Sequence, residues 1–289
     1  MFRRKKAAKD LETKAVHSFE IENFRQEILS FVSSSDDLIY RILQPHDQKI
    51  VIFYFEDLVD LKTLNECIIR PIEEIKDVSN AETIANKINI ADITRTNQIS
   101  EVVEQLVNGC AYIFRENDTY GIIADIQDKA TRGLEKAETE SLVFGPKISF
   151  TESISKNLNL IRSNLNDPKL CVETLIIGSR AKKKVQIIYI KDIADEENVN
   201  TFRQRITELE VDSIVDSTVL SQMIEDNSYT VFPQFITTEL PDRLTISLLH
   251  GKIGLLVDRS PTVIIGPSTL MNFFESTEDI YMRWNMGTF

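Results

Sequence analysis

The sequence predicts an α/β protein made of two related α/β subdomains, each a mixed β-sheet packed with helices, joined by a polar linker. Three observations carry this. Stretches with helical apolar spacing alternate with pairs of short apolar strands. A polar, weakly periodic stretch from Gln127 to Lys147, closing on Gly145-Pro146, divides the chain. The pattern before it then recurs after it: Lys49–Asp60 aligns without gaps to Lys184–Asp195 with five identities in twelve, and Asn108-Gly109 with its strand pair aligns to His250-Gly251 with its own. The expected organisation is a mobile basic tail over 1–17, a first subdomain over 18–127, a linker over 128–148 and a second subdomain over 149–289.

In the first half, Ile21, Phe24, Ile28, Phe31 and Val32 form one apolar stripe, which predicts an amphipathic helix. Strands follow at Asp37–Leu43 and Lys49–Phe55, joined by the turn-rich Gln44-Pro-His-Asp-Gln48. Helices are expected at about 60–75, 81–89 and 98–107, and a second strand pair at Ala111–Arg115 and Tyr120–Ile126. In the second half, the helix from Phe150 onward takes Thr151 as its N-cap. Strands at 171–178 and 184–190 flank the basic loop Ser179-Arg-Ala-Lys-Lys-Lys184. A helix at about 196–208, a short strand near Ser213–Val215, a helix at 217–225 and a strand pair at Lys252–Val257 and Thr262–Ile265 complete it. The intervals between matched segments differ, which reads as an extra helix near 61–75 in the first half and an insertion around 229–248 in the second.

Composition narrows the function. With Lys+Arg 33 against Asp+Glu 45, the net charge of −12 repels phosphate backbones, so no nucleic-acid partner is expected. The uncharged stretch Ser260–Phe274 is broken by Pro261, Gly266, Pro267 and Asn272 and is shorter than a bilayer span. Cys67, Cys110 and Cys171 are odd in number, far apart and set among apolar residues, as small buried hydrophobes in a reducing compartment are.

Catalytic signatures do not emerge. Only nine glycines occur, without a dinucleotide or Walker-type pattern; Gly178-Ser-Arg-Ala-Lys-Lys-Lys resembles a phosphate cradle but joins two strands. His17, His46 and His250 are separated from one another and from the cysteines, so no zinc spacing is present. Carboxylates at Asp36-Asp37, Glu56-Asp57, Glu73-Glu74 and Asp195-Glu196-Glu197 fall at element ends, where they favour a helix dipole or stay in water. Asp57 and Asp192 hold equivalent places in the repeat, which predicts a structural role at a strand-to-helix corner. No enzyme, cofactor or metal is expected.

From about residue 130 onward the chain carries a set of motifs: Arg132-Gly-Leu-Glu through Phe144-Gly-Pro146, Phe150-Thr-Glu-Ser, Leu158-Asn-Leu-Ile-Arg162, Ile224-Glu-Asp-Asn-Ser-Tyr, Phe232-Pro-Gln234, Pro241-Asp-Arg243, Gly251 to Pro261, and Glu278-Asp-Ile-Tyr-Met-Arg-Trp284. In order and spacing these resemble the A subunit of the spore germinant receptors, the GerA family. Ala137 stands where the family linker usually has proline. The resemblance implies the N-terminal region of an inner-membrane subunit, lying on the cytoplasmic, core side of the spore. It further implies B and C subunits and other A subunits as partners, and a role in nutrient-triggered germination and ion release. On this reading the chain ends just after Trp284, where the membrane helices of such a protein would begin, and is a fragment whose membrane attachment lies in a missing C-terminal domain.

Two functions follow. One is an assembly and signalling module; the other is a receptor whose two subdomains close on a small-molecule germinant or ion. The interface candidates are the linker residues Arg132, Glu138 and Glu140, expected to bridge the subdomains by ion pairs or hydrogen bonds, with Gly145 and Pro146 at the linker's end, and Phe232, Pro233, Gln234, Asp242 and Arg243 of the apparent insertion. Pro233 makes its stretch rigid, and Pro241 suits the first turn of a helix.

Overall fold

The computed structural model describes residues 21–75, 80–128, 148–225 and 233–269. The chain divides into two compact units, Met1–Asp128 and Lys129–Phe289. In the first, α1 (Ile21–Phe31), β1 (Leu38–Leu43) and β2 (Ile50–Phe55) precede a helical run over 61–73. That run comprises α2 (Leu61–Thr63), a π-helical stretch (Leu64–Ile69) and α3 (Arg70–Glu73). Then come α4 (Ala81–Ala85), β3 (Ile93–Thr96), α5 (Ile99–Val107), β4 (Cys110–Arg115) and β5 (Gly121–Asp125). The second unit comprises α6 (Ile154–Asn164), β6 (Leu170–Ile177), β7 (Lys183–Ile190), α7 (Glu196–Thr207), α8 (Ser217–Ile224), β8 (Ile236–Thr238), α9 (Pro241–Leu249), β9 (Ile253–Val257) and β10 (Val263–Gly266).

The strand orders are β1-β2-β4-β5-β3 and β6-β7-β9-β10-β8, the same order twice. Every neighbouring pair is antiparallel, where the sequence pattern predicted mixed sheets. Both faces of each sheet are covered by helices, so the central strands are apolar at nearly every position rather than alternating. All six residues of β2 are buried. On one face, Phe24 and Ile28 of α1 and Val102 and Leu106 of α5 pack on Val51, Phe53, Tyr112 and Phe114. On the other, Leu64, Ile68, Ile72 and Ile84 pack on Ile50, Ile52, Ile113 and Ile122. The second unit repeats the three layers, with α6 and α9 on one face and α7 and α8 on the other.

Register makes the duplication explicit. Ile50 pairs with Arg115 and Phe53 with Tyr112, as Val185 pairs with Val257 and Ile188 with Gly254. Tyr54 and Tyr189 hold the same place, opposite Ile39 and Cys171 on the edge strands β1 and β6. The apparent insertion is no insertion: β8 and α9 are the counterparts of β3 and α5, each short strand lying at the far edge beside β5 or β10. Thr96 and Thr238 are both buried, and each hydroxyl accepts the N–H two residues on, from Gln98 at 3.1 Å and Leu240 at 3.1 Å. Nor is the 61–73 helix extra, because α7 occupies its place after β7. Asp60 and Asp195, the last residues of the gapless match, cap these two helices, accepting N–H bonds from Lys62 and from Glu197 and Asn198. The helix caps at these corners are therefore Asp60 and Asp195, three residues after Asp57 and Asp192.

Other local expectations are corrected. Ser153, not Thr151, is the N-cap of α6, accepting from the Lys156 N–H. Thr151 is held upstream, its N–H donating to Asn157 Oδ1 at 2.7 Å and its hydroxyl accepting from the Ser153 N–H at 3.2 Å. Residues 213–215 form no strand. There Ile214 plugs the core while Val215 is 71% exposed, an alternation that mimics a strand without a neighbour to pair with. The strands β3 and β8 were missed because their four and three residues are too few for a periodic signal.

Gly109 and Gly251 turn the chain from helix into β4 and β9 at φ +85° and +81°. A Cβ there would lie 2.9 Å from the Leu58 carbonyl oxygen and 3.0 Å from that of Ile193. Gly109→Ala and Gly251→Ala are each expected to destabilise their own unit by about 1–3 kcal/mol, read as a lowered urea midpoint. Unchanged midpoints would show that these turns relax without cost.

Candidate functional site

Of the interface candidates, Arg132, Glu138, Glu140, Gly145, Pro146 and Phe232 lie outside the described residues. Pro233 and Gln234 are brought into one internal knot. Arg205 of α7 donates from Nη1 to the Ile224 carbonyl at 2.9 Å and to Gln234 Oε1 at 3.2 Å. The Gln234 N–H donates to Glu225 Oε1 at 3.2 Å, and its carbonyl accepts the Ser268 N–H at 2.8 Å. The Ser268 hydroxyl closes the knot on the Pro233 carbonyl. Pro233 and Gln234 thus tie together α7, the end of α8 and the segment after β10. Asp242 accepts from Asn164 Nδ2 at 3.2 Å, linking α9 to α6, and the half-buried Arg243 beside it also interacts within the chain. Pro241 is at the first turn of α9, as expected.

The basic loop after β6 turns its tip N–H groups onto a neighbouring segment. Its Ser179 N–H donates to the Val211 carbonyl, and those of Arg180 and Ala181 both donate to the Asp212 carbonyl. The Ser179 hydroxyl donates to Asp212 Oδ1 at 2.6 Å. The N–H groups of Ser179, Arg180 and Ala181 at the tip are thus committed to this neighbouring segment rather than free to converge on an anion. Beside it lies a groove of about 540 Å³, floored by Leu175, Ile177 and Ile206 and rimmed by Ser179, Glu210 and Asp212.

Two Tyr–Glu–Arg clusters went unnoticed in the sequence because their members come from distant segments. In the first unit, Arg95 donates from Nε and Nη2 to the two Glu82 oxygens at 3.0 and 2.8 Å, with the Tyr120 hydroxyl at 3.4 Å from Oε2. In the second, Arg203 grips Glu173 the same way at 2.7 and 2.6 Å, and the Tyr189 hydroxyl donates to Glu173 Oε1 at 2.7 Å. Burial pushes the Glu173 carboxyl up, but the bonds from Arg203 and Tyr189 and the nearby cations outweigh it and hold it below the ordinary range. Burial, then the bond to Glu173, pushes the Tyr189 hydroxyl well up. A carboxylate so gripped and a phenol so reluctant to ionise form a clamp, not an acid–base pair.

The remaining candidates are placed singly. Cys110 and Cys171 are buried and Cys67 is half-buried; burial, then Asp125, raises the Cys110 thiol to about 11. His46 and His250 are exposed. Among the described residues, no group of three or more His, Cys, Asp or Glu could hold a metal ion, and no helix is long and apolar enough to cross a membrane. Arg162, from the Leu-Asn-Leu-Ile-Arg motif, is 2% exposed and donates to the Leu170 carbonyl at 3.2 Å. Its motif is thereby explained as internal fastening of α6 to β6.

The chain is thus a tandem of two like-wound three-layer α/β units with the same strand order. The chain matches the family described as Bacillus/Clostridium GerA spore germination protein over residues 26–289 and belongs to it. It is similar to spore germination protein GerQA of Bacillus cereus, 34% identical over 91% of this chain and 53% of that protein. It is 30% identical to spore germination protein KA of Bacillus subtilis (strain 168), over 89% of this chain and 48% of that protein. An uncharacterized membrane protein of the same organism, YfkQ, is 29% identical over 82% of this chain and 47% of its own length. The chain thus spans about half the length of these curated relatives. The N-terminal domain of the A subunit of the Bacillus megaterium spore germinant receptor GerK3 shares the fold, with a TM-score of 0.67 at 22% identity, covering 90% of this chain and 98% of that domain.

Two outcomes follow from the clusters. Glu173→Gln is expected to cost about 1–2 kcal/mol at pH 7, because a depressed carboxyl contributes its full stability above its unfolded pKa of about 4.3 and loses it only as pH falls from there through the lower folded pKa. The gap between variant and parent should close as pH falls through the folded pKa; urea titrations across that range would detect it, and a gap independent of pH would rule the clamp out. Gln234→Ala is expected to lower the stability of the second unit by about 1–2 kcal/mol, through loss of the bond from Arg205. Hydrogen exchange in α7 and α8 would report it, and parental protection would show that the knot holds without this side chain.

Proposed function

We propose that this region is the N-terminal part of a germinant receptor A subunit that serves receptor assembly and the transmission of the nutrient-triggered change leading to ion release. In this reading it lies on the core side of the spore inner membrane. It works with B and C subunits and with other A subunits, through the rest of the polypeptide. The observation that supports it most is the family match over 26–289, which takes in both units and the stretch between them. The membrane character named for one relative, and the A-subunit origin of the GerK3 domain, point the same way. The polar clusters that tie elements together within each unit suit a body that passes a change between partners.

The stretch over 128–148 joins the two units, and its Arg132 and Glu138 belong to the motifs that resemble the family. In the full-length protein, Arg132→Ala and Glu138→Ala are expected to slow nutrient-triggered germination several-fold while the melting temperature of the 289-residue chain stays at the parental value. Parental germination by both variants, at parental receptor levels, would overturn the signalling role.

A further inference from the structure

A duplicated fold carries a hazard of its own. Two sheets with one strand order and one register offer each edge strand two docking places, its own and its counterpart's, in the same chain or in a second copy. The strands at issue are β1 and β6, each the first strand of its unit and each an edge, and therefore the easiest to exchange. Toward the helix that follows the second strand, β1 presents Ile39, Arg41 and Leu43, and β6 presents Cys171, Glu173 and Leu175. Both patterns are apolar, charged, apolar, so the hydrophobic contacts on this face do not tell the strands apart.

The charges do. Arg41 and Glu173 hold equivalent positions, opposite Ile52 on β2 and Ile187 on β7. Each meets an opposite charge on the equivalent helical run: Arg41 lies 3.8 Å from Glu73, and Glu173 lies 2.6 Å from Arg203. The sign is reversed between the units. We propose that these reversed ion pairs act as address labels that make each edge strand dock on its own sheet during folding. If β6 docked on the first sheet, it would bring Glu173 toward Glu73 and leave Arg203 without its carboxylate. If β1 docked on the second, it would set Arg41 against Arg203. Each exchange gives up an attraction and gains a repulsion, which is how paired strands are commonly told apart.

The test uses the first pair, because Arg41 and Glu73 are 46% and 52% exposed and their replacement leaves the core packing untouched. The 289-residue chain is unfolded in denaturant and refolded at rising protein concentration. The readout is the fraction of dimer that persists on dilution, by size exclusion with light scattering. Arg41→Glu/Glu73→Arg keeps an attractive pair but gives both units the same sign; Arg41→Gln/Glu73→Gln removes the label without making the signs alike. Expected is a several-fold larger exchanged fraction for the reversed variant than for the neutral one, at an unchanged melting temperature. Equal fractions for the two variants would overturn the proposal, since loss of the native pair alone would then account for any exchange. So would a reversed variant that refolds as cleanly as the parent.

Discussion

Everything in this protein depends on a sheet that is covered on both faces. In each unit the second strand and its neighbour lie between two helical layers, so neither can alternate polar with apolar residues. Ile50–Phe55 satisfies this with six buried side chains. Once these strands are apolar throughout, they specify position but not register, since a slip by one residue merely exchanges one buried face for the other. Register must come from the ends, and the turns are where the two units agree most closely.

The agreement is in backbone tasks more than in residue identity. Gly109 and Gly251 recur unchanged because the left-handed turn leaves no room for a Cβ. Elsewhere the task is kept and the residue changes. Asn117 and Arg259 both adopt positive φ, 66° and 60°, at the tips of corresponding hairpins. Asp118, which accepts a backbone N–H bond from Ala81 at the start of α4, has Ser260 as its counterpart, accepting from the Ser217 N–H at 3.3 Å at the start of α8. A duplicated chain can diverge freely in sequence as long as each orphan N–H at a helix start and each tight turn is still served.

This explains what was legible in the sequence. The fold class, the strand pairs and the equivalence of Tyr54 and Tyr189 could be read, because apolar runs bounded by turn residues are local signals. The strands β3 and β8 could not, being three or four residues long and held by partners far along the chain. Failing to see them turned a continuous correspondence into an imagined insertion, although the Thr-x-Gln98 and Thr-x-Leu240 turns were present to be compared. Of the candidate site, the Phe-Pro-Gln and Pro-Asp-Arg motifs were visible as motifs, but their partners Arg205, Ser268 and Asn164 were not. Side-chain knots assembled from distant segments leave no periodic trace.

The same reasoning bears on where the two units differ in what they do. Their backbones perform the same tasks and their cores have the same layers, so divergence is carried by polar side chains that the fold does not require. The buried Gln186, whose place in the first unit is taken by Val51, is one such departure, with its Oε1 unpaired among the described residues. The Glu173 clamp is another, on a strand position where the first unit has Arg41 and a looser pair. The Gln234 knot adds a third. The last two tie elements of the second unit together, whereas the unpaired Gln186 oxygen is a cost rather than a tie, and the first unit has a clamp of its own in Arg95, Tyr120 and Glu82.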